Sequence, residues 1–436
     1  MKKELHKLAI PTIITGFAEP IISLVDTALI GHLGAQAVGG MGIGISIIFL
    51  LTWVIGSGRN ALAAEVAQLY GKQQYPTINT VLTQTLVLFV LLSIIVACLV
   101  ALTISPILHW YQAKGAVFAY AKEYFLIRII GLPFLIGAFI LFGYAKGMQN
   151  TRTPLYITLT GGMINLILDL VLIHGVPPYI PGMELKGAAI ASVCAQVSMF
   201  AGAVFFLKRR HDFAFSMNGF IHPHVKTTIA NSVNLLVRTA ALNFTFIWCN
   251  RYATSLGDVY IATQTILFNL WMFCAFFLDG YAHGGLALAG KYKGRQHHAL
   301  IIKTSRYVLK INLLIAGVLF LVLYLLGPYI AMLITDDMSL RASINDHMIY
   351  LCATLPFSAF AFTYDGILIG LGHMRFLRNV LIISTFFVFL PAFEILTRTL
   401  SPHYVYIWLL LFIWLGFRGI WPHIFFKRNY KALKNT

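Results

Sequence analysis

In the segment GGMINLILDLVLI, Asn165 and Asp169 stand four residues apart inside an otherwise apolar run. On a helix that spacing puts an amide and a carboxylate on one face, a turn apart. A second isolated carboxylate, Asp26, sits in SLVDTALIGHLG near the end of another apolar run. A central charge in a membrane helix costs about 2.5–3.5 kcal/mol on insertion scales, so such a residue should face a cavity, pair with a partner or stay protonated. Two carboxylates and an amide converging in one bundle would form an oxygen-rich pocket for Na⁺ or for exchangeable protons. The alternative is that each is a satisfied interhelical hydrogen-bonding group.

The elements that carry these residues follow from composition. Of 436 residues, 59% are hydrophobic and 11% charged, against about a quarter charged in soluble domains. Mean hydropathy is +0.80. This is the composition of an integral membrane protein. The net charge of +17 does not point to nucleic acid, because the basic residues collect in short loops between apolar runs. Twelve runs are long enough to cross about 30 Å of hydrocarbon as helices. They are 8–31, 36–69, 77–104, 118–145, 153–174, 186–207, 227–254, 259–289, 299–326, 344–369, 379–398 and 404–426. Their length excludes barrel strands. Loops on one side hold most of the lysine and arginine, including Lys2, Lys72, Arg152, Arg209, Arg295, Arg375 and Lys427. The other side holds Lys114, Lys122, Lys186, Arg341 and Arg398. Both termini are therefore expected in the cytoplasm, with the chain multi-pass in a plasma (inner) membrane.

A shift of 223 residues aligns the two halves. Leu33-Gly34 meets Leu256-Gly257, Leu132-Pro133-Phe134 meets Leu355-Pro356-Phe357, Gly143 meets Gly366 and Gly147 meets Gly370. Six helices per half is an even number, so the halves cross the membrane in the same sense, related by a pseudo-twofold axis along the membrane normal. The expected organisation is a first six-helix bundle at 1–207, a cytoplasmic linker at 208–226 and a second bundle at 227–436. Two parallel bundles suit alternating access around a central cavity.

At the same offset Asp26 meets Cys249, Asn165 meets Val388 and Asp169 meets Ala392, so the polar set belongs to the first half alone. Arg238 lies about eleven residues into the seventh run, where an unpaired guanidinium is costly. The register sets it opposite Thr15, which makes Glu19, about a turn away, the expected partner. A bend of the first helix at Pro20 would bring Asp26 within reach instead. Asp279 and Asp365 each open an Asp-Gly pair and stand as polar candidates of the second half, or as hydrogen-bonding partners of a neighbouring helix. His283 is open to a proton relay or to packing.

Together these motifs resemble the MATE family of multidrug and toxin extrusion transporters, in its DinF-like branch. The resemblance runs through SLVDTALIGHLG, INLILD, GAAIAS, LLVRTAALNF, FFLDGYAHGGLALAGKYKG and DGILIGLG. It implies twelve helices in two bundles around a V-shaped cavity. It implies export of organic, often cationic and amphipathic, compounds in exchange for H⁺ or Na⁺. Asp26 matches the family's coupling aspartate, and Pro11 the proline fifteen positions before it, which with Pro20 is an expected hinge. Asn165 and Asp169 match the pair that shares the ion pocket. Ser192 stands where many relatives have threonine, and Arg238 matches an arginine typical of the branch. The expected partners are a small organic substrate and the lipid bilayer, with no cofactor, no tightly bound metal and no nucleic acid, and the chain acting as a monomer. A flippase for a lipid-linked precursor is the alternative. An enzyme is not expected, since no DDxxD-type or HExxH motif occurs.

Overall fold

The computed structural model describes residues 1–31, 35–175, 181–209, 216, 220–399 and 401–431, without the side chains at 19, 22–28, 31, 35, 174 and 431. The described chain is helical almost throughout. In chain order the helices are α1 (Lys2–Gly31), α2 (Ala35–Gly56), α3 (Gly58–Gly71), α4 (Tyr75–Leu102), α5 (Ile104–Trp110) and α6 (Gly115–Arg128). Then come α7 (Leu132–Gly147), α8 (Arg152–His174), α9 (Glu184–Lys208), α10 (Pro223–Leu256) and α11 (Asp258–Gly294). The last are α12 (His298–Ile334), α13 (Met338–Gly370), α14 (Met374–Ile383), α15 (Leu390–Thr399) and α16 (Val405–Lys431).

Breaks inside the expected runs have local causes. Ser57, between Gly56 and Gly58, separates α2 from α3. A 3-10 turn at Ile129–Gly131 joins α6 to α7 just before Pro133, which cannot donate to a preceding turn. A π-helical stretch, Ser384–Phe389, links α14 to α15 ahead of Pro391, where the proline ring would clash with a carbonyl four residues back. Pro328, Pro356 and Pro422 stay within helices.

Among the described residues, ten helical segments are long and apolar enough to cross a membrane, and each overlaps one of the expected runs. The runs at 8–31 and 227–254 correspond to α1 and α10, which are helical over 30 and 34 residues but are not among the ten. In α10 the cause is composition. Asn231, Asn234, Arg238, Asn243, Asn250 and Arg251 interrupt the apolar sequence.

The chain forms two compact units. One comprises Met1–Ile13 with Val233–Thr436, the other Ile14–Ser232. In the unit of Ile14–Ser232, α2 packs on α6, α3 and α4 on α7, and α8 on α9. Its main core runs from Ile47 through Phe89, Phe125 and Phe139 to Val225. In the other unit α13 is central, packed by α11, α12 and α16, and the core is rich in aromatics such as Trp271, Trp408 and Trp414. Large apolar side chains also point outward, among them Leu102, Leu325, Leu333 and Phe387, as a surface solvated by lipid requires.

The 223-residue repeat reappears as backbone geometry within each unit. A Cβ added to Gly143 would come within 2.3 Å of the Arg59 carbonyl oxygen, and one added to Gly366 within 2.2 Å of the Ala282 carbonyl oxygen. Gly147 meets Ala63 in the same way, and Gly370 meets Leu286. Without side chains at these points the helix backbones approach directly, the usual device where hydrophobic burial cannot drive helix association. Helix ends repeat too. Gln73 and Gln296 take φ of 60° and 58° past α3 and α11. The following residues donate back across the turn, Gln74 to Leu69 at 3.1 Å and His297 to Tyr292 at 2.9 Å. Gln149 (φ 62°) and Gly372 (φ 82°) close α7 and α13 similarly. Left-handed caps of this kind satisfy the last free carbonyls of a helix.

Candidate functional site

In the unit of Ile14–Ser232, Asn165 and Asp169 lie on α8 and are both buried, Asp169 completely. The Asn165 amide Nδ2 donates to Asp169 Oδ2 at 2.7 Å, as the i, i+4 spacing predicts. Ser192, also buried, is on α9. Two close approaches set the register of α8 against α9. Gly187 abuts Leu172, and Gly161 abuts Met199 and Ala195. The helices are therefore antiparallel, and Ser192 falls level with Leu166 and Ile167, between Asn165 and Asp169. An amide, a carboxylate and a hydroxyl thus share one level of the α8–α9 pair. The backbone of Asp26 belongs to α1, but its side chain, like that of Glu19, lies outside the described residues. Pro11 and Pro20 both fall within the continuous helix of α1.

The other unit holds a second polar centre. Asp365, on α13, is buried and accepts through Oδ2 from two guanidiniums. Arg238 of α10 donates through Nη2, and Arg418 of α16 donates through Nη2 at 2.6 Å. The described partner of Arg238 is therefore Asp365, a pairing that helix registers alone did not suggest. The Arg418 guanidinium also lies 5.3 Å from the ring centre of Trp414 and 5.7 Å from that of Phe362. On α11, Asp279 is ion-paired with His283 at 3.1 Å, four residues on.

Sequence patterning missed two further clusters. In the unit that contains Met1–Ile13, His6 is held between the hydroxyls of Tyr281 at 2.9 Å and Tyr307 at 3.0 Å. Glu4 beside it binds Lys291 at 3.1 Å and Tyr292 at 3.2 Å. Burial alone would push the Glu4 carboxyl up, but Lys291 and the terminal ammonium together hold it below its ordinary value. In the other unit the Glu65 carboxylate meets the ring of His224 at the start of α10. Two residues before it, the His222 N–H donates to Gln84 Oε1 of α4 at 2.8 Å. A charged residue near the end of an apolar run is the signal these share. Nothing in the sequence indicates its partner, more than a hundred residues away.

Residues 11–171 and 235–393 match the family model described as MatE. Over 443 residues the chain is 26% identical to DNA damage-inducible protein F of Escherichia coli (strain K12), covering 98% of this chain and 93% of that protein. Among solved structures, a crystal structure of MATE in the bent conformation superposes with a TM-score of 0.92 at 17% identity, over all of this chain and 96% of that one. An outward-facing multidrug resistance MATE family transporter gives 0.90 at 18% identity, over all of this chain and 97% of that one. At these identities the structural likeness is one of fold.

Proposed function

The chain belongs to the MatE family, and from that premise we propose that it is a secondary antiporter. It exports organic compounds across the plasma membrane in exchange for H⁺ or Na⁺, by alternating access of two six-helix bundles. The family model matches two stretches whose starts lie 224 residues apart (235 − 11), in support of a twofold internal repeat with α1 and α10 as the first helix of each set. The repeated glycine contacts and left-handed caps support it independently.

The observation that carries the coupling role is Asp169, a fully buried carboxylate on a membrane-spanning helix, bonded to the amide of Asn165. A carboxylate there can gain and lose a proton, or share its oxygens with Na⁺, and Asp26, Asn165 and Ser192 complete the proposed pocket. Exchange follows if coupling cation and substrate favour different conformations, since a ligand shifts an equilibrium only through its differential affinity for the two states. The first bundle is the proposed site of that linkage, with Pro11 and Pro20 as hinge positions of α1. Basic loops on one face support cytoplasmic termini.

Efflux from proteoliposomes under separately imposed proton and sodium gradients tests the proposal. One gradient should drive transport, and Asp26→Asn and Asp169→Asn should each abolish it while the protein remains folded. Transport that neither gradient stimulates would refute antiport.

A further inference from the structure

Among the described residues, the guanidiniums bonded to Asp365 outnumber it two to one. Two guanidiniums converge on one buried carboxylate and spend their Nη2 donors on the same oxygen, Oδ2. Arg418 Nε and Nη1 and Arg238 Nε are buried with no hydrogen-bond partner. Arg418 itself is only 2% exposed. A guanidinium carries five donors, and leaving buried ones unmet costs about 1–3 kcal/mol each. Among the described residues, the other carboxylate in electrostatic reach of Arg418 is Asp279, whose side chain is 43% exposed and already ion-paired with His283. Its field is therefore partly screened by its surroundings, and it does not satisfy the free donors.

A fixed pair of cations also bears on what Asp365 can do. An incoming metal ion or ammonium would have to reach the remaining oxygen, Oδ1, against the repulsion of two guanidiniums. Three donors remain to be satisfied against one acceptor, Asp365 Oδ1, which is also buried without a partner, so donors stay in excess and call for a further acceptor. Phe362 and Trp414, the latter fully buried, make the surroundings of Arg418 apolar.

We propose that Arg238 and Arg418, held by Asp365, form a binding site for an oxyanion, the carboxylate or phosphate-ester group of an amphipathic organic molecule. As a substrate site it rests on the transport reading; as a binding site it does not, and binding is what the test reads. The occupant is either a free amphipathic anion or an anionic lipid headgroup, which present the same chemistry.

The test uses the full-length protein, purified in neutral detergent and titrated calorimetrically with naphthoate, naphthamide and naphthylmethylammonium. The three share a ring system and differ in charge. Naphthoate should bind about tenfold or more tighter than the amide, the scale of a charge-assisted hydrogen bond, and the ammonium more weakly still. Arg238→Gln should remove that preference, and Arg418→Lys should weaken it by losing the fork while keeping the charge. Equal affinities for naphthoate and naphthamide in the wild type would overturn the site, leaving the donors to water, even if every variant failed to fold. A preference that survives Arg238→Gln intact would also overturn it. Repeating the titration in phosphatidylcholine nanodiscs with and without phosphatidylglycerol distinguishes the sources. Competition by the anionic lipid assigns the site to a headgroup; undiminished naphthoate binding assigns it to a free anion. Loss of gradient-driven efflux with anion binding intact would count against the transport reading alone.

Discussion

At the scale of single residues, the buried and exposed ion pairs of this chain should behave very differently. Asp365 shares one oxygen between a buried guanidinium, Arg418, and a half-buried one, Arg238, whereas Glu394 and Arg398 pair at 2.9 Å with the arginine 81% exposed. Removing one partner of a buried ionic group strands the others, at a cost of about 3–5 kcal/mol, while an exposed pair contributes about 0–1 kcal/mol. Asp365→Asn should therefore lower the melting temperature of the purified protein clearly, and Glu394→Gln should leave it within error. Equal shifts would show that the second unit does not depend on this centre. Sequence spacing revealed Asn165 and Asp169 because their hydrogen bond is local, four residues along one helix. It could not reveal that Arg238 and Arg418 meet Asp365, because those contacts span 127 and 53 residues. Only the cost of a lone charge in a membrane marked Arg238 as needing a partner.

Helices and their ends were legible where apolar runs are long, as in α4 and α8, whose limits lie close to the hydrophobic stretches. In α10 the expected run at 227–254 lies inside the helix Pro223–Leu256, although asparagine and arginine keep its hydropathy below that of the ten apolar spans. The repeated glycines give this scale its sharpest test. Gly366→Ala would push a methyl group into the Ala282 carbonyl, backbone against backbone, whereas a methyl at Gly42 meets nothing within 4 Å. Overpacking of this kind costs about 1–3 kcal/mol, while an alanine in open space favours the helix. Thermal unfolding should therefore separate the two variants in opposite directions. Helix ends also carry a pH signature. Asp337 caps α13 by accepting from the Ser339 hydroxyl at 2.7 Å and from the Ser339 and Leu340 N–H groups at 2.8 and 3.2 Å. The Ser339 hydroxyl and these backbone donors hold its carboxyl below the ordinary value. A depressed carboxylate contributes stability that is present above its unfolded pKa and is lost as pH falls through the lowered one. Amide exchange in the first turn of α13 should accordingly speed up relative to the rest of that helix on acidification, and Asp337→Asn should flatten the dependence.

For the whole molecule, class and family were legible from composition and motif because a bilayer admits few architectures. The division of the chain into two units was not legible at its margins. Hydropathy and the linker place the boundary after the sixth run, yet Met1–Ile13 is grouped with Val233–Thr436, while Lys226 and the first turns of α10 are grouped with the residues before them. Side chains enforce this. Glu4 and His6 bind Lys291, Tyr281 and Tyr307, and a Cβ at Gly280 would meet Ile13 at 2.2 Å.

This crossed ownership means that a cut in the loop at 208–226 would not yield two self-sufficient halves. The amino-terminal fragment would carry off thirteen residues on which its sibling depends, and the carboxy-terminal fragment would keep the His224 ring that meets the Glu65 carboxylate. Made separately, each piece should be degraded or recovered in aggregates. Made together in one cell, they should reassemble and co-purify, as parts that were never meant to stand alone.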